Sequence, residues 1–267
     1  MKRPWPRWAP RRGEHPEQHY LVAPRHLAGA GDPRHIIEYL HACGWKNRTS
    51  RTNLEVLLEN PDRTARIAFS THVVPPGWTI SGTPADGPAW HATFGPRTPV
   101  EIIGGFTDAL ARPRPVAAPD VWAPLAGHGW STATTGPYTA THPDRSAELQ
   151  YRTTADRSGF WWAGAHGDRD GRDERLWEAV FSPHTPMHLV AAFSAALAER
   201  QPLLRPPGEV PASWRIRARP VSILPSQLAS WRHDRATAAA RTTARARAWP
   251  IPRSRPASPP TPSGRTR

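Results

Sequence analysis

The sequence predicts an α+β protein of two tandem repeats, each a small antiparallel four-stranded sheet with a closing C-terminal helix, plus flexible basic tails. The main observation is an internal repeat, because residues 90–111 and 177–198 align at an offset of 87 positions. Apolar residues first alternate and then recur at helical spacing, which predicts a strand followed by a helix. Equivalent positions are occupied by Trp90, Phe94, Thr98, Pro99 and Phe106, and by Trp177, Phe181, Thr185, Pro186 and Phe193.

A proline-containing turn separates the strand from the helix in both copies. Gly95-Pro96 ends the first strand, since proline cannot donate a hydrogen bond to a ladder. Thr98 is the predicted N-cap, Pro99 the first helical residue and Glu101 the capping-box partner. The second copy predicts the same arrangement from Thr185 and Pro186.

Each repeat contains a further helix and a hairpin before this stretch. In the first repeat, residues 20–112, Asp32-Pro33 opens a helix and alternating apolar strands flank a turn at residues 60–63. In the second, residues 120–204, a shorter helix begins at Asp120 and the turn falls at residues 143–145. Residues 113–119 form a linker, and five extra residues around 167–175 predict a surface loop.

Positive charge is concentrated in the flanks. Of a net charge of +13, most comes from residues 205–267, which contain thirteen arginines against Glu209 and Asp234. Residues 1–19 are predicted to be a disordered basic leader, and residues 205–267 an Arg/Pro/Ala-rich tail, partly disordered. Residues 226–248 contain no proline and can form a basic helix.

Composition excludes several classes of protein. The single cysteine, Cys43, excludes an internal disulfide and a multi-cysteine zinc site. There is no apolar run long enough to span a membrane and no apolar core of a secretory signal. A cytoplasmic location without a membrane partner is predicted.

Three groups of residues invite a functional interpretation, each with a simpler structural one. His184 and His188 have metal-ligand spacing, but the first copy has Arg97 and Glu101 there and no third ligand is evident. The acidic residues of 167–175 alternate with arginines, which favours a self-neutralising loop over a cation site. Neighbouring tryptophans 161 and 162 must point to opposite sides of a strand, and core packing is favoured over base stacking. No catalytic, cofactor-binding or metal-binding residue is predicted.

The spaced motifs of residues 20–200 resemble a known family. They are the pattern W-x3-F-x-P-x-T-P-x2-(I/L)-x3-F-x2-A-L-A, the segment Y-L-V-A-P-R-H-L-A-G-A-G-D-P and the turn H-P-D-R. Together they are similar to the tandem domain-of-unknown-function family 317 of actinomycetes. The resemblance implies the repeat architecture and supplies no catalytic residue or function.

The predicted function is that of a non-enzymatic binding or scaffold protein. Its C-terminal tail, rich in arginine and tryptophan, is expected to bind DNA or RNA phosphates by counterion release, without recognising the base sequence. One alternative is an enzyme, or an inactive relative of one, with a site in the groove between the repeats. Another is a protein–protein interaction module that uses an exposed strand edge. The candidate nucleic-acid-binding residues are Arg215, Arg217, Arg219, Trp231, Arg232, Arg235, Arg241, Arg245 and Arg247.

Overall fold

The computed structural model describes residues 13–49, 55–70, 77–117, 119–133, 138–154, 157–169 and 172–248. The first repeat follows strand β1 (Glu17–Ala23) and a 3-10 turn (Arg25–Leu27). Its elements are α1 (Arg34–Ala42), β2 (Lys46–Asn47), β3 (Val56–Glu59), β4 (Ala65–Ser70), β5 (Gly77–Gly82), β6 (Trp90–Phe94) and α2 (Val100–Leu110).

The second repeat has the same order of elements. It contains α3 (Ala123–Gly127), β7 (Ser131–Ala133), β8 (Tyr138–Thr141), β9 (Ala147–Thr153), β10 (Gly159–Arg169), β11 (Arg172–Phe181) and α4 (Met187–Ala198). The chain continues through β12 (Leu203–Arg205) and β13 (Arg217–Ile223) into α5 (Pro225–Ala248).

The two repeats form one continuous antiparallel sheet of ten strands, in the order β2-β3-β4-β5-β6-β11-β10-β9-β8-β7. The prediction of two small four-stranded sheets is therefore wrong, although α+β class and tandem repetition are correct. A short fifth strand follows the first helix of each repeat, and the last strands, β6 and β11, pair with each other. That pairing removes two open strand edges, which explains why the repeats do not remain separate sheets.

The β6–β11 junction is a pseudo-twofold centre. Ala92 pairs with Phe181 and Phe94 with Ala179, so equivalent positions exchange partners around Thr93 and Val180. Gly95 N donates to Glu178 O at 2.8 Å, and the equivalent Ser182 N donates to His91 O at 2.9 Å. The internal symmetry inferred from the repeat thus extends to individual backbone hydrogen bonds.

Four phenylalanines form the centre of the core on the helix-covered face of the sheet. Phe106 of α2 lies 5.6 Å from both Phe94 and Phe181, measured between ring centroids. Phe193 of α4 lies 5.8 Å from Phe94 and 5.0 Å from Phe181. The two helix phenylalanines therefore have matching surroundings. The same core contains six buried tryptophans: Trp45, Trp78, Trp90, Trp130, Trp161 and Trp177. Trp162 is buried outside this core.

The predicted helix caps are displaced by one residue. Helices α2 and α4 begin one residue later than predicted, with Pro99 and Pro186 at the capping position and no side-chain cap. Thr185 Oγ1 instead donates to His91 O at 3.3 Å. Thr98 Oγ1 has no hydrogen-bond partner among the described residues, because the position equivalent to Ser182 beside it is Gly95. Glu101 binds Arg205 instead of closing a capping box.

The flanks are structured where the sequence predicted flexibility. Strand β1 lies between β12 and β13 in a second, three-stranded sheet, so the predicted leader includes a strand from Glu17 and the predicted tail is structured up to Ala248. The helix predicted over 226–248 is present as α5, which packs on α1 and buries Ala239. Residues 1–12 and 249–267 lie outside the described residues.

The prediction of a surface loop around residues 167–175 is also wrong. Strands β10 and β11 extend into this segment as a ribbon, with Asp168 opposite Asp173, so it is not an inserted loop. Trp161 and Trp162 do face opposite sides of β10. Trp161 packs 5.1 Å from Trp122 of the helix layer, whereas Arg152 stacks 4.1 Å from the ring of Trp162.

Candidate functional site

Polar groups converge in a cavity of about 340 Å³ at the end of the sheet formed by the second repeat, which we call the basic cavity. The β8–β9 turn, the 3-10 turn, the end of α4 and the start of β13 surround it. Its charged and polar lining residues are Arg25, His26, His128, His142, Asp144, Glu199, Arg200, Arg215 and Arg217. With neutral histidines the lining carries four positive and two negative charges, which favours an anionic ligand.

Three of the four guanidinium groups are positioned by backbone carbonyls. Arg25 Nη1 donates to Ala196 O at 3.0 Å and Arg200 Nη2 donates to His128 O at 2.6 Å. Arg215 Nη1 donates to Asp144 O at 2.7 Å. A carbonyl orients a guanidinium without neutralising it, and none of the three forms an ion pair among the described residues. Their positive charge therefore remains directed at the cavity.

Two of these arginines have unused donors. The Nε atoms of Arg25 and Arg215 are buried without a hydrogen-bond partner among the described residues. Burial lowers the pKa of Arg25, and the charge of Glu199 offsets part of that effect. Unpartnered buried donors are costly, so an acceptor entering the cavity would gain hydrogen bonds that the protein leaves unmade.

A polar network lies at the base of the cavity. His26 Nε2 lies 2.6 Å from Ser146 Oγ, Ser146 Oγ donates to Asp144 Oδ1, and His142 Nδ1 lies 2.5 Å from the same carboxylate oxygen. Ser146 N also donates to Asp144 Oδ1, at 2.8 Å. The rings of His26 and His142 meet edge to face, 4.7 Å apart between centroids.

The network keeps Asp144 ionised and His26 neutral. Burial alone would raise the pKa of Asp144, but the hydrogen bonds from Ser146 and His142 outweigh it and hold the pKa at about 2. Burial lowers the pKa of His26 to about 3, with a further lowering by His142 that Asp144 partly offsets. The base of the cavity thus combines one carboxylate with neutral imidazole.

Serine, histidine and aspartate meet here, but their hydrogen bonds are not arranged to activate Ser146 as a nucleophile. In an acyl-transfer triad the carboxylate binds the imidazole nitrogen opposite the serine, whereas Asp144 binds the serine itself. Ser146 is also fully buried. His26, His142 and Asp144 are, however, a donor set for a metal ion, with one potential ligand atom from each lying within 4.8 Å of the others.

The residues predicted to bind nucleic acid lie in different surroundings. Arg215 and Arg217 line the basic cavity, and Arg219 and Arg241 are exposed. Arg232 contacts Asp32 at 3.4 Å, and Arg235 contacts both oxygens of Asp108, so these two hold α5 in place. Trp231 is 53% exposed. The side chains of Arg245 and Arg247 lie outside the described residues.

The remaining candidates from the sequence lie outside the basic cavity. A groove between the repeats, beside α2 and α4, is lined mainly by alanine and proline, together with Arg112, Asp120 and His188. His184 is exposed, and no metal-binding group containing it or His188 occurs among the described residues. Of the acidic residues in the segment 167–175, Glu174 forms an ion pair with Arg97, with 3.9 Å between Glu174 Oε1 and Arg97 Nη1.

Sequence reasoning missed Arg25, His26, Arg200 and His142. His26 lies in the quoted segment before the first helix, but nothing local indicates that it meets residue 146. One signal was present: at an offset of 82, His142 replaces Asn60 in otherwise matching turns, N-P-D-R and H-P-D-R. Because the first turn forms with asparagine at this position, the turn itself does not require a histidine at position 142.

The fold is that of a tandem α+β repeat protein with pseudo-twofold symmetry. The family described as SPDY, a domain of unknown function (DUF317), matches residues 59–116 and residues 141–203. The chain therefore carries two DUF317 domains in tandem, as the repeat pattern indicated. Comparison with curated proteins and with solved structures gave no match. The matched regions contain His142, Asp144, Ser146 and Arg200, whereas Arg25, His26, Arg215 and Arg217 come from the flanks.

No helix among the described residues is long and apolar enough to cross a membrane.

Proposed function

We propose that this is a non-enzymatic binding protein that associates with nucleic acid through the phosphate backbone, in the cytoplasm. The observation that supports it most is the meeting of Arg215 and Arg217 from the C-terminal segment with Arg25 and Arg200 in one cavity. Arginine suits phosphate because its planar fork donates two parallel hydrogen bonds. The exposed Arg219, two residues from Arg217 on β13, would extend the contact along a strand.

The expected binding mode is independent of base sequence. The cavity offers charge and hydrogen-bond donors, which position a backbone but do not distinguish bases. Counterion release then accounts for most of the affinity. Buried Ser146 and the alanine- and proline-rich groove between the repeats argue for binding rather than catalysis. Pro220 within edge strand β13 argues against strand addition by a protein partner at that edge.

The test is a fluorescence-anisotropy titration of labelled duplex and single-stranded DNA and of RNA, over about 50 to 200 mM salt. The variant Arg215→Gln/Arg217→Gln is expected to bind more weakly to all of them. Each lost phosphate contact makes the slope of log affinity against log salt shallower by about 1, so a change of about 2 is expected.

A matched control removes the same charge elsewhere. Arg48 and Arg66 lie at the opposite end of the ten-stranded sheet, where both are ion-paired with Glu59. Arg48→Gln/Arg66→Gln should leave affinity and slope close to those of the wild type. Equal losses in both double variants would mean that net charge alone is responsible, and binding unchanged in Arg215→Gln/Arg217→Gln would refute the proposal.

A further inference from the structure

We propose that His26, His142 and Asp144 form a site for one divalent transition-metal ion of the zinc class, at the base of the basic cavity. Two imidazoles and one carboxylate are a donor set that Zn²⁺ uses in proteins with a fourth position open. One potential ligand atom from each residue lies within 4.8 Å of the others, so small side-chain adjustments bring all three to one ion. The proposal concerns a second ligand and does not depend on nucleic-acid binding.

Separate parts of the fold hold the three residues. His26 lies in the 3-10 turn, where Trp177 Nε1 donates to its carbonyl at 2.8 Å and its ring packs against Trp130. His142 and Asp144 occupy a hairpin turn that is closed by the hydrogen bond from His142 N to Ala147 O, at 2.9 Å. Ligands held before the ion arrives lose little conformational freedom on binding it.

Ser146 supplies the surrounding support. It contacts His26 Nε2 through Oγ and donates to Asp144 Oδ1 through both Oγ and its backbone N–H. Hydrogen bonds to a ligating carboxylate orient it and raise metal affinity, so Ser146 supports Asp144. The contact of Ser146 with His26 Nε2 would be exchanged for the bond to the ion where that nitrogen is the ligand. Because Ser146 is fully buried, this support is rigid.

The hairpin turn does not need histidine for its own stability. In the first domain the same turn carries Asn60, whose Nδ2 donates to Thr64 Oγ1 at 2.9 Å and whose Oδ1 accepts from Ala65 N at 3.0 Å. The closing backbone bond is also the same, from Asn60 N to Ala65 O at 3.1 Å. Of the two turns, the one in the second domain has the histidine, and its ring meets that of His26.

The arginines make the surroundings of the cluster positive, so a bound ion would need an anionic partner. The carboxylate of Asp144 offsets one positive charge, and the cavity gives solvent a route to the cluster. The arginines line the wall, so a bound cation would favour an anion or hydroxide at the fourth position. Inorganic phosphate is therefore expected to strengthen metal binding instead of competing with it.

The test is calorimetric titration of the full chain with zinc chloride, without nucleic acid, together with the absorption spectrum of the cobalt(II) form. The wild type is expected to bind one equivalent and to give the intense visible bands of four-coordinate cobalt. His142→Asn should fold, since Asn60 occupies the equivalent turn, and should lose affinity at least about 100-fold, as loss of a direct ligand exceeds the 10–100-fold cost of losing a supporting residue. Asp144→Asn should behave alike.

The control is His184→Asn/His188→Asn, which removes a closely spaced histidine pair outside the basic cavity. It should retain the stoichiometry and the cobalt spectrum. Absence of stoichiometric zinc binding by the wild type, unchanged affinity in folded His142→Asn, or equal losses in the control would each overturn the proposal. Because no nucleic acid is present, these outcomes are independent of the phosphate-binding test.

Discussion

Arg205 shows how a single residue joins the C-terminal segment to the first domain. Its guanidinium donates to both carboxylate oxygens of Glu101 at 2.8 Å and to the carbonyls of Ala28, Gly29 and Leu204. The side chain of Arg205 is 2% exposed, so its N–H groups point at protein acceptors and not at solvent. Burial alone would raise the pKa of Glu101, but the hydrogen bond and charge of Arg205 lower it below its ordinary value.

We expect Arg205→Met to destabilise the protein by about 3–5 kcal/mol, because the largely buried Glu101 is left without its partner. Arg34→Met is the control, since Arg34 pairs with Asp32 at the exposed surface and its loss should cost about 1 kcal/mol or less. Urea denaturation measures both. Equal losses in the two variants would contradict a structural role for the buried pair.

His35 predicts a pH dependence of stability. Burial lowers its pKa to about 4, and Arg235, Arg205 and Arg25 add to that effect while Glu101 opposes it. The folded pKa is thus below the unfolded value of about 6.5, so the unfolded state takes up the proton first on acidification. The stabilisation is complete above pH 6.5 and is lost as the pH falls from about 6.5 to about 4, by at most about 1.4 kcal/mol per unit.

The measurement is urea denaturation at pH 7.5 and at pH 5. The wild type should lose more stability between the two than His35→Gln, which has no group to titrate there. His91→Gln, at an exposed position of β6, should follow the wild type. If His35→Gln lost as much as the wild type, titration of His35 would not be the cause.

At the scale of elements, the contact between α2 and α4 depends on small residues. A Cβ at Gly105 would lie 2.5 Å from Ala196 Cβ and 2.8 Å from Ala192 O. Ala192 is the residue equivalent to Gly105 in the second domain, so the helices cross near the pseudo-twofold axis. Close approach there lets both helices cover the shared phenylalanine core.

Gly105→Ala is therefore expected to destabilise the protein by about 1–3 kcal/mol through overpacking, although alanine has the higher helix propensity. Gly127→Ala makes the same chemical change at the end of α3, where a Cβ would meet nothing within 4 Å. That control should be neutral or slightly stabilising. Thermal unfolding compares them, and a neutral Gly105→Ala would refute tight packing between α2 and α4.

At the scale of the whole molecule, the C-terminal segment is part of the folded structure. Strands β12 and β13 are the only two partners that β1 has among the described residues, and α5 packs on α1. Deleting residues 205–267 would therefore test folding and phosphate binding at once. Point variants in the intact chain separate the two.

A chain that ends at Leu204 is expected to unfold at a lower temperature than the full chain, by several degrees, because it lacks Arg205, β13 and α5. A chain that ends at Ala248 is the control, since it keeps every described element. Near-ultraviolet circular dichroism follows the buried tryptophans during heating. Equal midpoints for the Leu204 chain and the full chain would show that the segment adds no stability.

The sequence by itself determined the duplication, the order of the two helices and the four longer strands in each domain, and helix α5. These follow from alternation, helical spacing and proline-containing turns, which act between residues near in the chain. The capping box predicted for α2 was wrong because Glu101 binds Arg205, 104 positions away.

Only the tertiary structure decided that β6 pairs with β11, that β13 returns to β1, and which side chains share the basic cavity. The contact between His26 and Ser146 spans 120 positions, and that between Arg215 and Asp144 spans 71. No local pattern encodes such distances. They result from closing open strand edges and burying apolar surface, which depend on the whole chain at once.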